Sequence, residues 1–161
     1  MSQKQKKFSL TFILKRGDGN ALIFYKQDGQ RFDCSSTIKM KVQTPYKFIL
    51  TFRPPQKIKT AILRGEELTV VEEEVTTDFS KYSLNWMSDN IPVTKKNSRS
   101  NFPLILELED SGILELSLQF KFYGAEDKNH SAWGKCLHQI EYDCCYKAEN
   151  SFVEIIKESY R

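Results

Sequence analysis

The feature that most constrains the fold of this chain is an alternation of apolar and polar side chains along it. Four segments carry the alternation: 8–15, 37–43, 46–52 and 113–123. In a β-strand, successive side chains point to opposite faces of the sheet, so this spacing collects apolar side chains on one face. Such strands are typical of an antiparallel sheet with one buried face. The pattern therefore predicts a protein built from half-buried strands.

Turn-forming residues separate the predicted strands at short intervals, at 17–20, 28–29, 54–55 and 110–112. Because glycine accepts a positive φ at little cost, Asp28-Gly29 predicts a two-residue hairpin turn between FYKQ and QRFD. Two stretches, 70–79 and 150–159, are ambiguous between strand and helix. The sequence predicts an all-β protein, either an antiparallel immunoglobulin-like β-sandwich or a flattened barrel.

The 161 residues fit a single domain, 1–161, that is long enough to bury one core. Residues 1–7 are basic and precede the first strand pattern, so we expect a flexible N-terminus there. The polar segment 88–102 predicts a long loop inside the domain. No run approaches the roughly 18 apolar residues of a membrane-spanning helix. We therefore expect a cytoplasmic protein whose four cysteines are free thiols.

The charge balance gives little support to a nucleic-acid or membrane partner. The formal net charge is +3, which is too small to indicate nucleic acid without a basic stripe. One basic cluster consists of Lys4, Lys6 and Lys7, and another of Lys95, Lys96 and Arg99. Lipid-binding clusters usually contain about four to eight basic residues. We therefore expect no nucleic acid and at most a weak or peripheral association with a membrane.

The segment Gly124–Gly134, GAEDKNHSAWG, raises the question of a metal or catalytic site. Zinc ligands usually form pairs about two to four residues apart, whereas His130, Cys136, His138, Cys144 and Cys145 are spaced irregularly. On a strand, Cys144 and Cys145 would point to opposite faces. Cys136 and His138 would share a face, but no protease motif surrounds them. We predict no metal, no cofactor, no catalytic residue and no enzyme activity, and the family resemblance described below implies a strand-to-strand connection at this segment.

The apolar rows leave two alternatives for the interior. Protein cores usually pack to the density of organic crystals. The sheets of a sandwich can instead separate around an apolar ligand. In that case the pocket would be lined by Phe12, Phe48, Leu50, Leu118 and Phe120.

Two long motifs resemble hallmark segments of the cannabinoid receptor-interacting protein family. The first is YKQDGQRF, 25–32, followed by Thr37-Ile38-Lys39. The second runs from Lys121-Phe122-Tyr123 through His130 to Cys144, and 157–159 resembles the family's C-terminus. Order and spacing agree from about Phe8 onward, whereas 57–101 matches loosely. The positions carried over from the family motifs are Tyr25, Asp28, Gly29, Arg31, Phe32, Tyr123, Trp133, Gly134 and Tyr142.

This resemblance implies a non-enzymatic adaptor that binds the cytoplasmic tail of a G-protein-coupled, cannabinoid-type receptor and modulates its signalling. It implies a cytoplasmic location peripheral to the inner face of the plasma membrane. It also implies a fold similar to that of Rho GDP-dissociation inhibitors, whose relatives can hold a lipid anchor between the sheets. A carrier of a lipid or lipidated protein is therefore the alternative function.

Two further expectations concern particular side chains. Lys39, Lys41 and Lys47 would favour an acidic receptor tail, which could add to a sheet edge as an extra strand. Trp133 would anchor the Gly124–Gly134 connection by burying its indole ring. Cys136, His138 and Cys145 depart from the family pattern.

Overall fold

The computed structural model describes residues 5–17, 21–29, 34–128, 130–147 and 149–161. These residues form β-strands and one short 3-10 helix, His130–Ala132, and none of them lies in an α-helix. The predicted all-β class is confirmed. The strands are β1 Lys6–Arg16, β2 Ile23–Gln27, β3 Ser36–Lys41, β4 Pro45–Arg53, β5 Ile58–Leu63, β6 Glu66–Leu68, β7 Val70–Val75, β8 Ser80–Met87, β9 Ser100–Leu108, β10 Gly112–Tyr123, β11 Lys135–Leu137, β12 Ile140–Tyr146 and β13 Glu154–Tyr160.

The strands form two sheets. The first has the order β13-β12-β1-β4-β8-β7, and the second has the order β11-β2-β3-β10-β9-β5-β6. Within the described residues, neighbouring strands are antiparallel except for β3 and β10, which run parallel with Ile38 beside Phe120. The sheets remain separate, so the predicted sandwich is confirmed and the flattened barrel is not formed. The likeness to Rho GDP-dissociation inhibitors stays a prediction.

The apolar rows of both sheets face each other and form one core. Trp86 of β8, in the first sheet, reaches across to the second sheet, and its ring centroid lies 5.7 Å from that of Phe102 and 6.2 Å from that of Phe122. Burying one large apolar side chain contributes about 1.5–3 kcal/mol to stability. The alternation recognised in the sequence therefore supplies the main force that holds the sheets together.

The predicted two-residue turn at Asp28-Gly29 is wrong. The strands β2 and β3 do form an antiparallel hairpin, but Gln27 pairs with Ser36, so the connection spans 28–35. Gly29 has the expected positive φ, +66°. The connection begins and ends where the Asp28 backbone N–H donates to the Ser35 carbonyl oxygen at 2.6 Å, and the Asp28 carboxylate is bonded to Thr37 and Arg99, as described below. The segment QRF, 30–32, lies outside the described residues.

Several predicted boundaries shift. The strand β1 begins at Lys6, so the last two residues of the expected flexible segment 1–7 are in a strand and pair with Tyr146 and Cys145. The strand β9 begins at Ser100, inside the expected loop 88–102. Both ambiguous stretches contain strands, β7 and β13. Residues 18–20 of the first predicted turn, together with Lys4, lie outside the described residues.

Among the residues that are described, no helix has the length and apolar character required to span a membrane.

Candidate functional site

Lysine side chains from three neighbouring strands meet on the outer face of the second sheet. Tyr25, Ile38 and Phe120 face the core, so the residue next to each along its strand faces outward. Those outward residues include Lys26 of β2, Lys39 of β3 and Lys121 of β10. Lys39 and Lys121 are direct neighbours in the parallel pair. The register of the sheet thus concentrates positive charge on one face.

The connection 124–134 covers one end of this face. Its 3-10 helix is held by Asp127, whose carboxylate accepts a hydrogen bond from the backbone N–H of Ser131 at 3.2 Å. Lys39 Nζ donates to the backbone oxygen of His130 at 2.9 Å. The His130 ring lies parallel to the Tyr123 ring, with centroids 6.5 Å apart. The predicted strand-to-strand connection is therefore present, and it is fixed on top of the sheet.

The prediction that Trp133 buries its ring is wrong, because this side chain is 59% exposed. Its ring instead packs against His130, with centroids 4.7 Å apart. The connection lies on the outer face of the sheet, so the strands themselves separate its side chains from the core. Trp133 therefore lies at the rim of the site.

A buried ion pair fixes the other end of the face. The guanidinium of Arg99 lies 3.2 Å from the Asp28 carboxylate, and the two side chains are only 6% and 2% exposed. The Thr37 hydroxyl donates to Asp28 and accepts hydrogen bonds from Arg99 Nε at 3.0 Å and from the Gln119 amide at 2.8 Å. Buried charges require such partners to offset the loss of hydration. This network ties the connection 28–35 and the residues before β9 to the sheet.

Between these two ends lies a cavity of about 190 Å³, which we call the basic groove. Two ammonium groups lie over the Tyr123 ring, that of Lys39 at 5.9 Å and that of Lys121 at 5.6 Å from its centroid. Aromatic faces attract cations at such distances. The groove is lined by Lys26, Thr37, Lys39, Arg99, Lys121, Tyr123, His130 and Trp133.

The charges in the basic groove perturb one another. Burial, followed by the charges of Lys26, Lys121 and Arg99, lowers the pKa of Lys39 below its ordinary value, while Asp127 acts in the opposite direction. Burial is also the main cause that raises the pKa of Tyr123, so its phenol stays neutral at physiological pH. Several cations lie close together in the groove and repel one another. The groove would therefore attract an anion electrostatically.

The five residues expected to line an internal pocket lie deep in the core. Phe12, Phe48, Leu50, Leu118 and Phe120 are each at most 1% exposed. The rings of Phe12 and Phe48 are in contact, with centroids 5.5 Å apart. The structure does not bring any of these five residues to the basic groove.

The family-motif positions divide between the core and the groove. Tyr25 and Tyr142 are buried in the core. Asp28, Tyr123 and Trp133 belong to the basic groove or to the ion-pair network beneath it, and Gly29 and Gly134 have positive φ. Arg31 and Phe32 lie outside the described residues.

The three lysines expected to attract an acidic tail are not brought together. Lys39 lies in the basic groove, and Lys41 lines an adjacent cavity that also contains Arg16 and Lys128. Lys47 is in the first sheet, 3.9 Å from Glu73. Lys26, Thr37 and Lys121 fall within the family motifs, and Arg99 within a basic cluster, but the sequence did not indicate that these residues share a site, and it did not indicate Gln119 at all. The alternation places Lys121 opposite the apolar row of β10, but nothing in the sequence indicates that β10 lies beside β3.

Two of the cysteines, Cys144 and Cys145, are adjacent in β12 and have different surroundings. Cys144 is buried in the core, and burial raises the pKa of its thiol to about 12, which suppresses the nucleophilic thiolate. The adjacent Cys145 lies outside that core cluster and accepts a hydrogen bond from the Gln5 amide at 2.9 Å. Within the part of the chain that the structure describes, no three His, Cys, Asp or Glu side chains converge on a point that could hold a metal ion.

The fold and the site together define an all-β sandwich protein with a basic groove on the outer face of one sheet. The chain belongs to the family described as CB1 cannabinoid receptor-interacting protein 1, whose family model matches residues 4–160. The human protein of that name is 29% identical over 157 residues, which cover 96% of this chain and 94% of the human one. The bovine and rat proteins are 28% and 27% identical over the same shares.

Proposed function

We propose that this protein is a non-enzymatic adaptor that binds the cytoplasmic tail of a G-protein-coupled receptor of the cannabinoid type and modulates its signalling. The observation that carries the proposal is the match of residues 4–160 to a family named for its interaction with the CB1 cannabinoid receptor. Relatives that share this name are covered over 94% of their length. The proposal therefore concerns the whole sandwich and not a fragment of it.

An adaptor of this kind would meet its partner at the inner face of the plasma membrane. We therefore propose a cytoplasmic protein with a weak, peripheral association with that membrane. Two of the N-terminal lysines, Lys6 and Lys7, are exposed on β1 and would add only a small attraction to anionic lipids.

The sheets offer two ways to bind an extended tail. Within the described residues, β7 and β13 end the first sheet and β11 and β6 end the second, so each is paired on one side in its sheet. A peptide could add to such an edge through main-chain hydrogen bonds. Side-chain contacts could also be made on the basic outer face, where positive charge would select an acidic tail.

The test is direct binding of a fluorescein-labelled peptide that spans the cytoplasmic tail of a cannabinoid-type receptor, followed by fluorescence anisotropy. We expect saturable binding that weakens as salt is raised, because exposed charges are screened. A scrambled tail of the same composition is the control. Equal binding of both peptides, or binding of neither, would contradict the adaptor.

The alternative function is a carrier of a lipid or lipidated protein between the sheets. Occupancy would require the contacts among Phe12, Phe48, Leu50, Leu118 and Phe120 to open, since these side chains are fully packed. The close packing gives no support to a ready-made pocket, and we therefore place the adaptor first. Native mass spectrometry of protein from eukaryotic cells tests the carrier: a bare mass of 18.8 kDa would count against it, and a lipid-sized adduct would favour it.

A further inference from the structure

We propose that the basic groove is a recognition site for an anionic side chain of a peptide, a carboxylate or a phosphate, bound among Lys26, Lys39 and Lys121 while a neighbouring apolar side chain of the peptide packs on Trp133. The inference rests on the proposed function only in that the natural peptide would be the receptor tail. The site and its chemistry follow from the geometry of the groove.

The charge of the basic groove supports an anionic ligand. Among the described residues that line it, none is acidic. Within the described residues, the Asp28 carboxylate pairs with Arg99 beneath the groove, and the Asp127 carboxylate is bonded to Ser131 and lies 3.6 Å from His130 Nδ1. After burial, the charges of Lys26 and Lys121 are the next causes that lower the pKa of Lys39, so the three ammonium groups repel one another and a bound anion would relieve that repulsion. Hydrogen bonds from ammonium groups to carboxylate or phosphate are about twice as strong as neutral ones.

The groove is held in shape before any ligand arrives. Lys39 is fixed by its hydrogen bond to His130, and the floor of the groove is fixed by the network of Asp28, Thr37 and Arg99. A preformed site reduces the conformational entropy that is lost on binding. With about 190 Å³ of space, the groove has room for one side-chain anion and a few waters.

Trp133 supplies an apolar contact at the rim. Its side chain is 59% exposed although its ring contacts His130, so most of the indole is available to a partner. Tryptophan is enriched among residues that dominate binding energy in protein interfaces. A concave site can enclose a single side chain of a peptide. A flat lipid surface would instead be contacted by basic side chains on a convex face of a protein, so the groove with its adjacent indole suits a peptide better.

The experiment compares groove variants with a control of matched charge. Lys26→Gln combined with Lys121→Gln removes two positive charges from the groove. Lys57→Gln combined with Lys59→Gln removes two from β5 and the residue before it, where both lysines form exposed ion pairs. Trp133→Ala tests the rim. Lys39 is left intact because it also holds the connection.

Each protein is titrated with four labelled probes: the receptor tail, the same tail with its acidic residues changed to amides, the tail phosphorylated on its serines, and hexaglutamate. We expect the amide form to bind least. The groove double variant should lose about tenfold in affinity for the acidic and phosphorylated tails, since each lost exposed contact is worth up to about 1 kcal/mol. Trp133→Ala should lose about fivefold on the tail, and the β5 control should stay within about twofold.

The outcomes separate this inference from the proposed function. Tail binding that all variants retain would overturn the groove and leave the adaptor intact. Hexaglutamate binding that the groove variants lose, with no binding of any tail, would support the groove and overturn the adaptor. A groove-dependent binding to vesicles of phosphatidylserine and phosphatidylcholine, with none to any peptide, would overturn the peptide site in favour of a membrane contact.

Discussion

At the scale of the single residue, Gly134 shows how closely the connection 124–134 approaches the sheet. Its φ is +118°, and a Cβ atom built at this position would lie 2.6 Å from the backbone oxygen of Tyr25. Only glycine combines this conformation with so close an approach of two backbones. The glycine therefore allows Trp133 and His130 to lie at the edge of the basic groove.

We predict that Gly134→Ala lowers the free energy of unfolding by about 1–3 kcal/mol, because the side chain meets both a strained φ and a backbone oxygen. Urea denaturation followed by circular dichroism would measure the loss. Gly124→Ala is the control, since its Cβ would meet no atom within 4 Å. Equal stability of the two variants would contradict the clash.

Tyr142 carries a buried polar atom that lacks a partner. Its side chain is fully buried, and within the described residues its hydroxyl makes no hydrogen bond. We predict that Tyr142→Phe raises the free energy of unfolding by about 1 kcal/mol, because the desolvation cost of the hydroxyl disappears.

The contrasting variant is Tyr46→Phe. The Tyr46 hydroxyl accepts a hydrogen bond from the backbone N–H of Lys41 at 2.7 Å, so its removal leaves a donor unsatisfied. This variant should lose about 1 kcal/mol. Chemical denaturation of both proteins would compare the signs, and destabilisation by Tyr142→Phe would show that its hydroxyl has a partner.

At the scale of the elements, the strands were predictable and their partners were not. The alternation in 8–15, 46–52 and 113–123 is a local property of the sequence, and it correctly predicted β1, β4 and β10. The parallel pairing of β3 with β10 joins residues far apart in the chain, and no local pattern encodes it. The basic groove depends on that pairing. For this reason the sequence suggested Lys39 as a contact for an acidic tail but did not predict that Lys26 and Lys121 lie beside it.

Two local predictions failed because tertiary contacts outweighed local preference. Asp28-Gly29 has the composition of a tight turn, yet the Asp28 carboxylate bonds to Arg99, which precedes β9. Trp133 has a large apolar ring that would favour burial in the core, yet the connection that carries it crosses the outer face of the sheet. Asp28 is held by Arg99, which is 71 residues away, and the connection that carries Trp133 is held on the sheet by Lys39, which is 91 residues from His130.

The ion pair between Asp28 and Arg99 joins two connections through the sheet, and we predict strong coupling between its members. Asp28→Ala or Arg99→Leu alone should each cost about 3–5 kcal/mol, because one buried charge is left without its partner. The double variant should cost clearly less than the sum of the two.

A double-mutant cycle by urea denaturation measures this coupling. The control cycle uses Lys59 and Glu107, which are 3.4 Å apart but about half exposed. We expect a coupling below about 1 kcal/mol there. Additive losses at Asp28 and Arg99 would show that the buried pair does not act as a unit.

At the scale of the whole molecule, the core contains several acids that must stay protonated. Burial is the main cause that raises the pKa of Tyr142 and Tyr160, and it raises the pKa of the Cys144 thiol from an ordinary value of 9.0 to about 12. In the unfolded chain these groups ionise at their ordinary values. Above about pH 9 the unfolded state therefore binds fewer protons than the folded state, and rising pH favours unfolding.

We predict that stability is maintained up to about pH 9 and then falls as pH rises toward 11, by up to ~1.4 kcal/mol per pH unit for each group involved. Thermal denaturation between pH 7 and 11 would measure the decline. Cys144→Ala should reduce its slope between about pH 9 and 10, where the thiol of the unfolded chain ionises. A midpoint that does not change between pH 9 and 11 would refute the prediction.

The position of β1 has a consequence for the order in which the protein can be made. This strand lies inside the first sheet, between β4, which follows it closely in the chain, and β12, which is formed by residues 140–146. During synthesis β1 leaves the ribosome well before β12, so the second edge of β1 stays unpaired until residues 140–146 have followed. Unpaired strand edges promote association between chains. We therefore expect the first sheet to be completed only after residues 140–146 have left the ribosome, and β1 to be open to association with other chains until then.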